Sequence, residues 1–180
     1  VLHWLEAVGF AAEAGAAVLV PGEAGAPVMA VAGLGSETER SRTRFLAAKA
    51  RAALPAGVYR LETELSGAPL EEAALGWLLA GYRFDRYREG RKAPPGADLV
   101  APDGVDATRI EAIAAGEVLA RDLINTPAAD MGPGALEAAA EDLAAGFGAL
   151  VEVTRGEDLL AANLPMIHAV GRAAAEAPRL

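Results

Sequence analysis

Ala120-Arg121-Asp122-Leu123-Ile124-Asn125-Thr126-Pro127-Ala128-Ala129-Asp130-Met131 is the stretch from which the organisation of this chain is read. Upstream of it, Asp106 is placed to cap a long helix carrying Ile110, Ile113, Val118, Leu119 and Leu123 at helical spacing. Asn125-Thr126-Pro127 stops that helix, because a residue before proline is pushed out of the helical region. Downstream, Pro133 opens a second helix that runs toward Gly146 and Gly148. Asn125-Thr126-Pro127 is therefore read as a shaped chain reversal between domains, with no catalytic role assigned to it.

Working back toward the start, Ala17–Val20 and Val28–Ala32 are short apolar runs separated by Pro21-Gly22-Glu23-Ala24-Gly25, the pattern of two strands and a turn. Gly33-Leu34-Gly35 breaks that pattern. Ser36 and Glu39 then have capping-box spacing for one helix expected over 37–54, ended by Pro55 and Gly57. Val58–Thr63 alternates as a half-exposed strand does, and Pro69 opens a helix carrying Leu70, Ala74, Leu75, Leu78 and Leu79. A tip is expected over 89–96 and a strand over 97–101. Beyond Gly148, Leu150–Val153 reads as a strand, Thr154 and Glu157 as a capping box before a short helix over 158–163, and Met166–Val170 as another strand. Strands and helices alternating in this order predict an α/β fold with partly parallel sheets.

Composition narrows the function classes. Alanine dominates the hydrophobic 53%, and aromatics are 5%, as in a helix-rich globular chain. There is no cysteine, which excludes disulfides, thiolate-held zinc, iron–sulfur clusters and cysteine nucleophiles. No apolar window reaches membrane-spanning length, and the start Val1-Leu2-His3-Trp4-Leu5-Glu6 lacks the basic region of a secretory signal. A cytoplasmic protein is expected, with residues ahead of Val1 lost. Residues 1–102 hold 11 basic and 12 acidic groups, whereas residues 103–180 hold 5 and 13. An acidic second segment repels phosphate backbones, which disfavours nucleic acid as a partner, and the asymmetry suggests two structural units.

The chemistry-bearing residues do not assemble into a motif. Asp103/Asp106, Glu141/Asp142 and Glu157/Asp158 fall at helix starts or on solvated helix faces, where a carboxylate has a structural use. His3 and His168 have no paired ligand spacing, and Ser36, Ser41 and Ser66 lie outside any nucleophile elbow. Gly33-Leu34-Gly35 could cradle a phosphate, but position 38 is Thr38 and not the third glycine of a dinucleotide loop, so a plain turn is favoured. Arg40, Arg42, Arg44, Lys49 and Arg51 are scattered around one helix, which reads as a solvated face. Arg83, Arg86, Arg88, Arg91 and Lys92 interleave with Tyr82 and Tyr87, a pattern open to base stacking or to plain packing of arginine stems. No residue is assigned a catalytic, cofactor-binding or metal-binding role.

The run 120–131 resembles the junction of the leucyl (cytosol) aminopeptidases, where a linker helix ends in Arg-Asp-Leu-x-Asn-x-Pro. The similarity continues downstream through the helix Gly134–Ala145, the Val-rich Leu150–Val153, and Met166-Ile167-His168-Ala169-Val170-Gly171. Upstream, Leu79–Tyr87 resembles the family's Tyr-x-Phe-x-x-Tyr segment, while Ala129 and Gly132 depart from its usual pattern. The resemblance implies a macro-domain-like N-terminal domain with a mixed sheet over 1–104, a linker helix over 105–126, and the opening of a catalytic domain over 127–180. It implies a metal-dependent peptidase acting on peptide N-termini with two divalent ions, Zn or Mn, and a homo-oligomeric, hexameric assembly. In the family the metal-binding Lys, Asp and Glu residues come after a segment like Ala175-Glu176-Ala177-Pro178-Arg179-Leu180, and the last lysine here is Lys92. The chain is thus expected to be truncated and inactive alone, with apolar surface exposed over 125–180. Competing expectations are a macro-like module binding ADP-ribose or a related nucleotide near Gly33–Ser36, or a purely structural assembly domain.

Overall fold

The computed structural model describes residues 1–23, 25–88 and 95–180. Two units succeed one another along the chain, Val1–Leu119 and Ala120–Leu180.

The first unit begins with helix α1 (Leu2–Ala7), then the strands β1 (Ala17–Pro21) and β2 (Pro27–Ala32). β1 and β2 pair antiparallel with Ala17 opposite Ala32 and Leu19 opposite Ala30, and the register breaks between Val20 and Pro21. Pro21 has no N–H to give the ladder, so pairing loosens there. The expected helix over 37–54 is two helices, α2 (Glu37–Arg42) and α3 (Leu46–Ala52). Its start is as expected: the Ser36 hydroxyl accepts from the Glu39 N–H, and Glu39 Oε2 accepts from the Ser36 N–H at 2.7 Å. The break comes from tertiary contacts that periodicity does not carry. Thr43 is extended and Phe45 takes a left-handed backbone at φ 58°. The turn is held by Glu72, which accepts from Arg44 Nε at 2.8 Å and from the Phe45 N–H at 3.2 Å.

Glu72 lies on α4 (Ala68–Leu79), which buries Leu70, Ala74, Gly76 and Trp77. A side chain at Gly76 would come within 3.1 Å of Phe45, so the missing Cβ is what lets Phe45 pack against the helix. Only Gly57–Tyr59 of the segment around the expected strand over 58–63 pairs; this is β3, parallel to β4 (Ala97–Leu99). β3 is bonded through Gly96 and Val100, so the Ala97 carbonyl points to the other edge of β4. There it accepts from Trp77 Nε1 at 2.8 Å and from Arg51 Nε at 2.9 Å. Antiparallel and parallel pairing are both present, in two two-stranded sheets among the described residues. Nothing in them singles out a macro-like domain. The tip expected over 89–96 lies mostly outside the described residues.

Helix α5 (Ala107–Asn125) carries the chain from the first unit into the second. Asp106 caps it as expected, its carboxylate accepting from the Arg109 N–H at 3.1 Å. At the other end Thr126 turns its hydroxyl back onto the Asp122 carbonyl, at 2.7 Å. The second unit continues with α6 (Pro133–Phe147), closed by Gly148 at φ 64°. Two short helices come next, α7 (Asp158–Ala161) and α8 (Pro165–Gly171), with Leu159 of α7 fully buried.

Three expectations change in this unit. Met166–Val170 is helix and not strand. Pro165 sits in the first turn, and a five-residue apolar run reads equally as a buried strand or a buried helical turn. Leu150–Val153 has no strand partner among the described residues. The capping box at Thr154 does not form, because Thr154 gives its backbone to the end of the chain: its N–H donates to Leu180 O at 2.8 Å and its carbonyl accepts from Leu180 N at 2.9 Å.

Candidate functional site

The densest charged cluster among the described residues lies on the second unit and is centred on Glu137 of α6. Arg179 Nη1 donates to Glu137 Oε2 at 2.6 Å, and Arg155 grips the same carboxylate with Nε at 3.1 Å and with Nη2. Glu141, one turn along, is 4.0 Å from Arg155. Glu176 accepts from the Gly134 N–H at 2.6 Å, occupying a free donor of the first turn of α6, and also approaches Arg179 at 3.5 Å. A Cβ at Gly134 would meet the Glu176 carboxylate, so the glycine leaves room for this close approach. The Arg155 hydrogen bonds above all, with Arg179 behind them, hold the Glu137 carboxyl down at about 2, against the desolvation that opposes them. Arg155 is raised in turn by the same bond. A carboxylate so occupied is a poor base. Its effect is to fasten 155 and 179, and hence the chain end, to α6.

Beside this cluster lies an apolar groove of about 800 Å³. Leu136, Ala140, Val151, Val153, Met166 and Val170 are among its lining. Much of the apolar surface of the unit is uncovered: Leu150 is 98% exposed, Phe147 80%, Val170 76% and Met166 75%. Apolar exposure over 125–180 agrees with the expectation from sequence.

The residues singled out from sequence are dispersed. Asp106 is a helix cap, Glu157 lies 3.2 Å from His168 Nε2, and Asp158 sits in the first turn of α7. Among the described residues no three His, Asp or Glu side chains converge where a metal ion could be held. His3 is in α1, far along the chain from His168. Ser36 is a cap, and Ser41 donates to the Thr38 carbonyl.

Three of the four backbone donors of the loop Gly33–Ser36 are engaged. Gly33 N–H donates to Ala16 O, Gly35 N–H to Ala12 O, and Ser36 N–H to Glu39. A Cβ at Gly33 would overlap the backbone of Ala12 and Glu13, which explains the glycine without a ligand. The scattered arginines are used singly, Arg40 on Gly35 O, Arg44 on Glu72 and Arg51 on Ala97 O. Arg83 and Arg88 both reach Asp85, at 3.2 and 3.6 Å, and Arg86 lies 5.8 Å from the Tyr87 ring centre. That is the packing alternative for this stretch; Arg91 and Lys92 lie outside the described residues. Sequence reasoning missed the Glu137 cluster, whose members are 18 and 42 positions apart and form no local pattern.

Comparison with known proteins gives the family. The pattern of the M17 aminopeptidase N-terminal domain matches residues 1–102, and that of the cytosol aminopeptidase family catalytic domain matches residues 118–180. The chain is 36% identical to a probable cytosol aminopeptidase of Leifsonia xyli subsp. xyli, covering 98% of this chain and 38% of that protein. It is 30% identical to one from Corynebacterium efficiens, over 100% and 38%. Among solved structures, the cytosol aminopeptidase of Coxiella burnetii superposes with a TM-score of 0.83 at 33% identity, over 99% of this chain and 38% of that one. The bottromycin maturation enzyme BotP in complex with Mn gives 0.76 at 30% identity, over 98% and 40%. The chain thus spans under two fifths of the Leifsonia and Corynebacterium relatives. With both patterns matched in order and agreement in fold along the chain, it belongs to the M17, or cytosol aminopeptidase, family.

Proposed function

We propose that the polypeptide of which these residues form the N-terminal portion is a metal-dependent aminopeptidase, releasing N-terminal amino acids from peptides. The observation that carries this is the ordered match of N-terminal-domain and catalytic-domain patterns on one chain. Residues 1–104 act as the N-terminal domain, 105–126 as the linker helix and 127–180 as the opening of the catalytic domain. We further propose two divalent ions, Zn or Mn, a cytoplasmic location and a homo-oligomer, a hexamer by family resemblance. The manganese complex of the related BotP supports a divalent metal, and no helix of the described residues is long and apolar enough to cross a membrane.

The side chains present here do not fit such a metal site. Among the described residues no three His, Asp or Glu side chains converge on one point, the Asp106 and Glu137 carboxylates are spent on a cap and on arginine pairs, and no lysine comes after Lys92. No hydrolytic step is therefore derived from them. Their contribution is architectural: α5 joins the units, and the Glu137 cluster registers the chain end against α6. With three of the four Gly33–Ser36 amides engaged and both aminopeptidase patterns matched, the nucleotide-module alternative is without support.

The test is aminopeptidase activity of the complete reading frame on leucine p-nitroanilide, with Mn²⁺ or Zn²⁺ and after chelation. Metal-dependent release of the anilide is expected; its absence with both metals overturns the proposal.

A further inference from the structure

Among the described residues β1 has one strand neighbour, β2, and its other edge carries no strand. Which backbone groups lie on that edge follows from the pairing. Gly33 N–H donates to Ala16 O and Gly22 N–H to Ala26 O, each at 2.8 Å, on the side shared with β2. Bonding alternates along an antiparallel strand, so Ala16, Val18, Val20 and Gly22 turn their backbone N–H and C=O groups toward β2. Ala17 and Leu19 turn theirs outward. Such an outward row is a template for another chain unless something blocks it. One group does. The indole Nε1 of Trp4 donates to the Leu19 carbonyl at 3.2 Å. Trp4 comes from α1, a helix of six residues with no side-chain cap and no buried residue. A helix so short is marginal by itself, and Leu2 and Trp4 keep apolar surface exposed, so α1 is a light strap laid along β1.

We propose that Trp4 is an edge guard: by holding the Leu19 carbonyl it keeps β1 from pairing with β1 of a second copy of this chain. The pairing it prevents is self-complementary. In the two-fold antiparallel registers that set Leu19 opposite Ala17 or Leu19 of the other copy, the facing residues exchange both bonds. The Leu19 carbonyl of each copy is then needed as an acceptor, and the indole N–H already occupies it. The side chains suit such a contact, since Val18, Leu19 and Val20 are apolar and β1 carries no charge that would repel its own copy. With Trp4 withdrawn, the outward groups of Ala17 and Leu19 are free to form that ladder. The inference stands apart from the aminopeptidase reading, because it uses only β1, β2 and α1.

Two variants of the 180-residue chain test this. Trp4→Phe keeps a ring and removes the donor, and Trp4→Ala removes both. Amide hydrogen exchange is read by NMR in each variant and in the unchanged chain, between about 50 µM and 1 mM protein. In both variants exchange at Ala17 and Leu19 should slow at least tenfold as concentration rises, and in the unchanged chain it should not change. Val18 and Val20, bonded to β2, should stay protected throughout, which shows that the hairpin is intact. No dependence on concentration in the variants overturns the proposal, as does the same dependence in the unchanged chain. Slowing in Trp4→Ala alone would assign the effect to ring bulk and overturns it as well. Slowing confined to 125–180 would mean that copies meet through another surface, against the proposal. Loss of protection at Val18 and Val20 in Trp4→Phe would make Trp4 a brace of the hairpin and not a guard of its edge, again against it. None of these readouts involves peptidase activity, so a failed anilide assay and a failed edge guard are told apart.

Discussion

Because the Ala97 carbonyl accepts from two donors at once, the loss of either donor should be forgiving and the loss of both should not. Trp77 is buried and gives its Nε1–H at 2.8 Å, while Arg51, half-buried, gives its Nε–H at 2.9 Å. Trp77→Phe removes one hydrogen bond, worth about 1 kcal/mol net, and part of the buried ring, worth about another 1 kcal/mol. The carbonyl stays satisfied by Arg51, so the total is about 2 kcal/mol. Arg51→Ala removes the other bond and the guanidinium group that lies beside Gly81 and Gly96, for about 1 kcal/mol. In the double variant the carbonyl faces away from β3 and has lost both partners, which adds roughly 1–3 kcal/mol for an unpaired buried acceptor. The double variant is expected to lose about 4–6 kcal/mol, more than the sum of the singles. Urea unfolding tracked by circular dichroism reads this, with m-values checked for constancy so that midpoints translate into free energies. Additivity within about 0.5 kcal/mol would refute the shared-acceptor argument.

Single sites give three further outcomes. Gly33→Ala should destabilise the first unit by about 2 kcal/mol or more, through overlap with the Ala12–Glu13 backbone, and thermal unfolding checks it. Leu159→Ala should cost the second unit about 3 kcal/mol, since the side chain is fully buried, seen as a lower urea midpoint for α7 and α8 amides. Glu137 is ionised more readily folded than unfolded, with a carboxyl at about 2 against an ordinary 4.5. Its contribution is therefore complete above about pH 4.5 and is lost as pH falls toward 2. Carbon-13 titration of that carboxyl should show the low midpoint, and Glu137→Gln should remove this part of the acid sensitivity.

Elements whose signals are local are legible in the sequence. The capping box of Ser36 and Glu39, the Asp106 cap, Pro133 at the start of α6 and Gly148 at its end are all set by neighbours in the chain. Elsewhere distant residues decide. The break between α2 and α3 depends on Glu72 and on the space left at Gly76, neither of which the periodicity of 37–54 reports. Met166–Val170 reads as a strand because an apolar run carries no period, and the Pro165 that settles it as a helix stands just outside. The resemblance carried by 120–131 points to the same family as the comparisons. The Glu137 cluster leaves no trace in the sequence, being assembled from three segments that only the fold brings together.

The central claim is that these residues are the architectural front of a metal-dependent aminopeptidase and hold none of its chemistry. It is tested most directly by leucine p-nitroanilide hydrolysis with Mn²⁺ present, measured side by side for the complete reading frame and for residues 1–180. The account predicts metal-dependent release by the former and none above the metal-only blank by the latter. Hydrolysis by residues 1–180 alone, or its absence from the complete product, would contradict it.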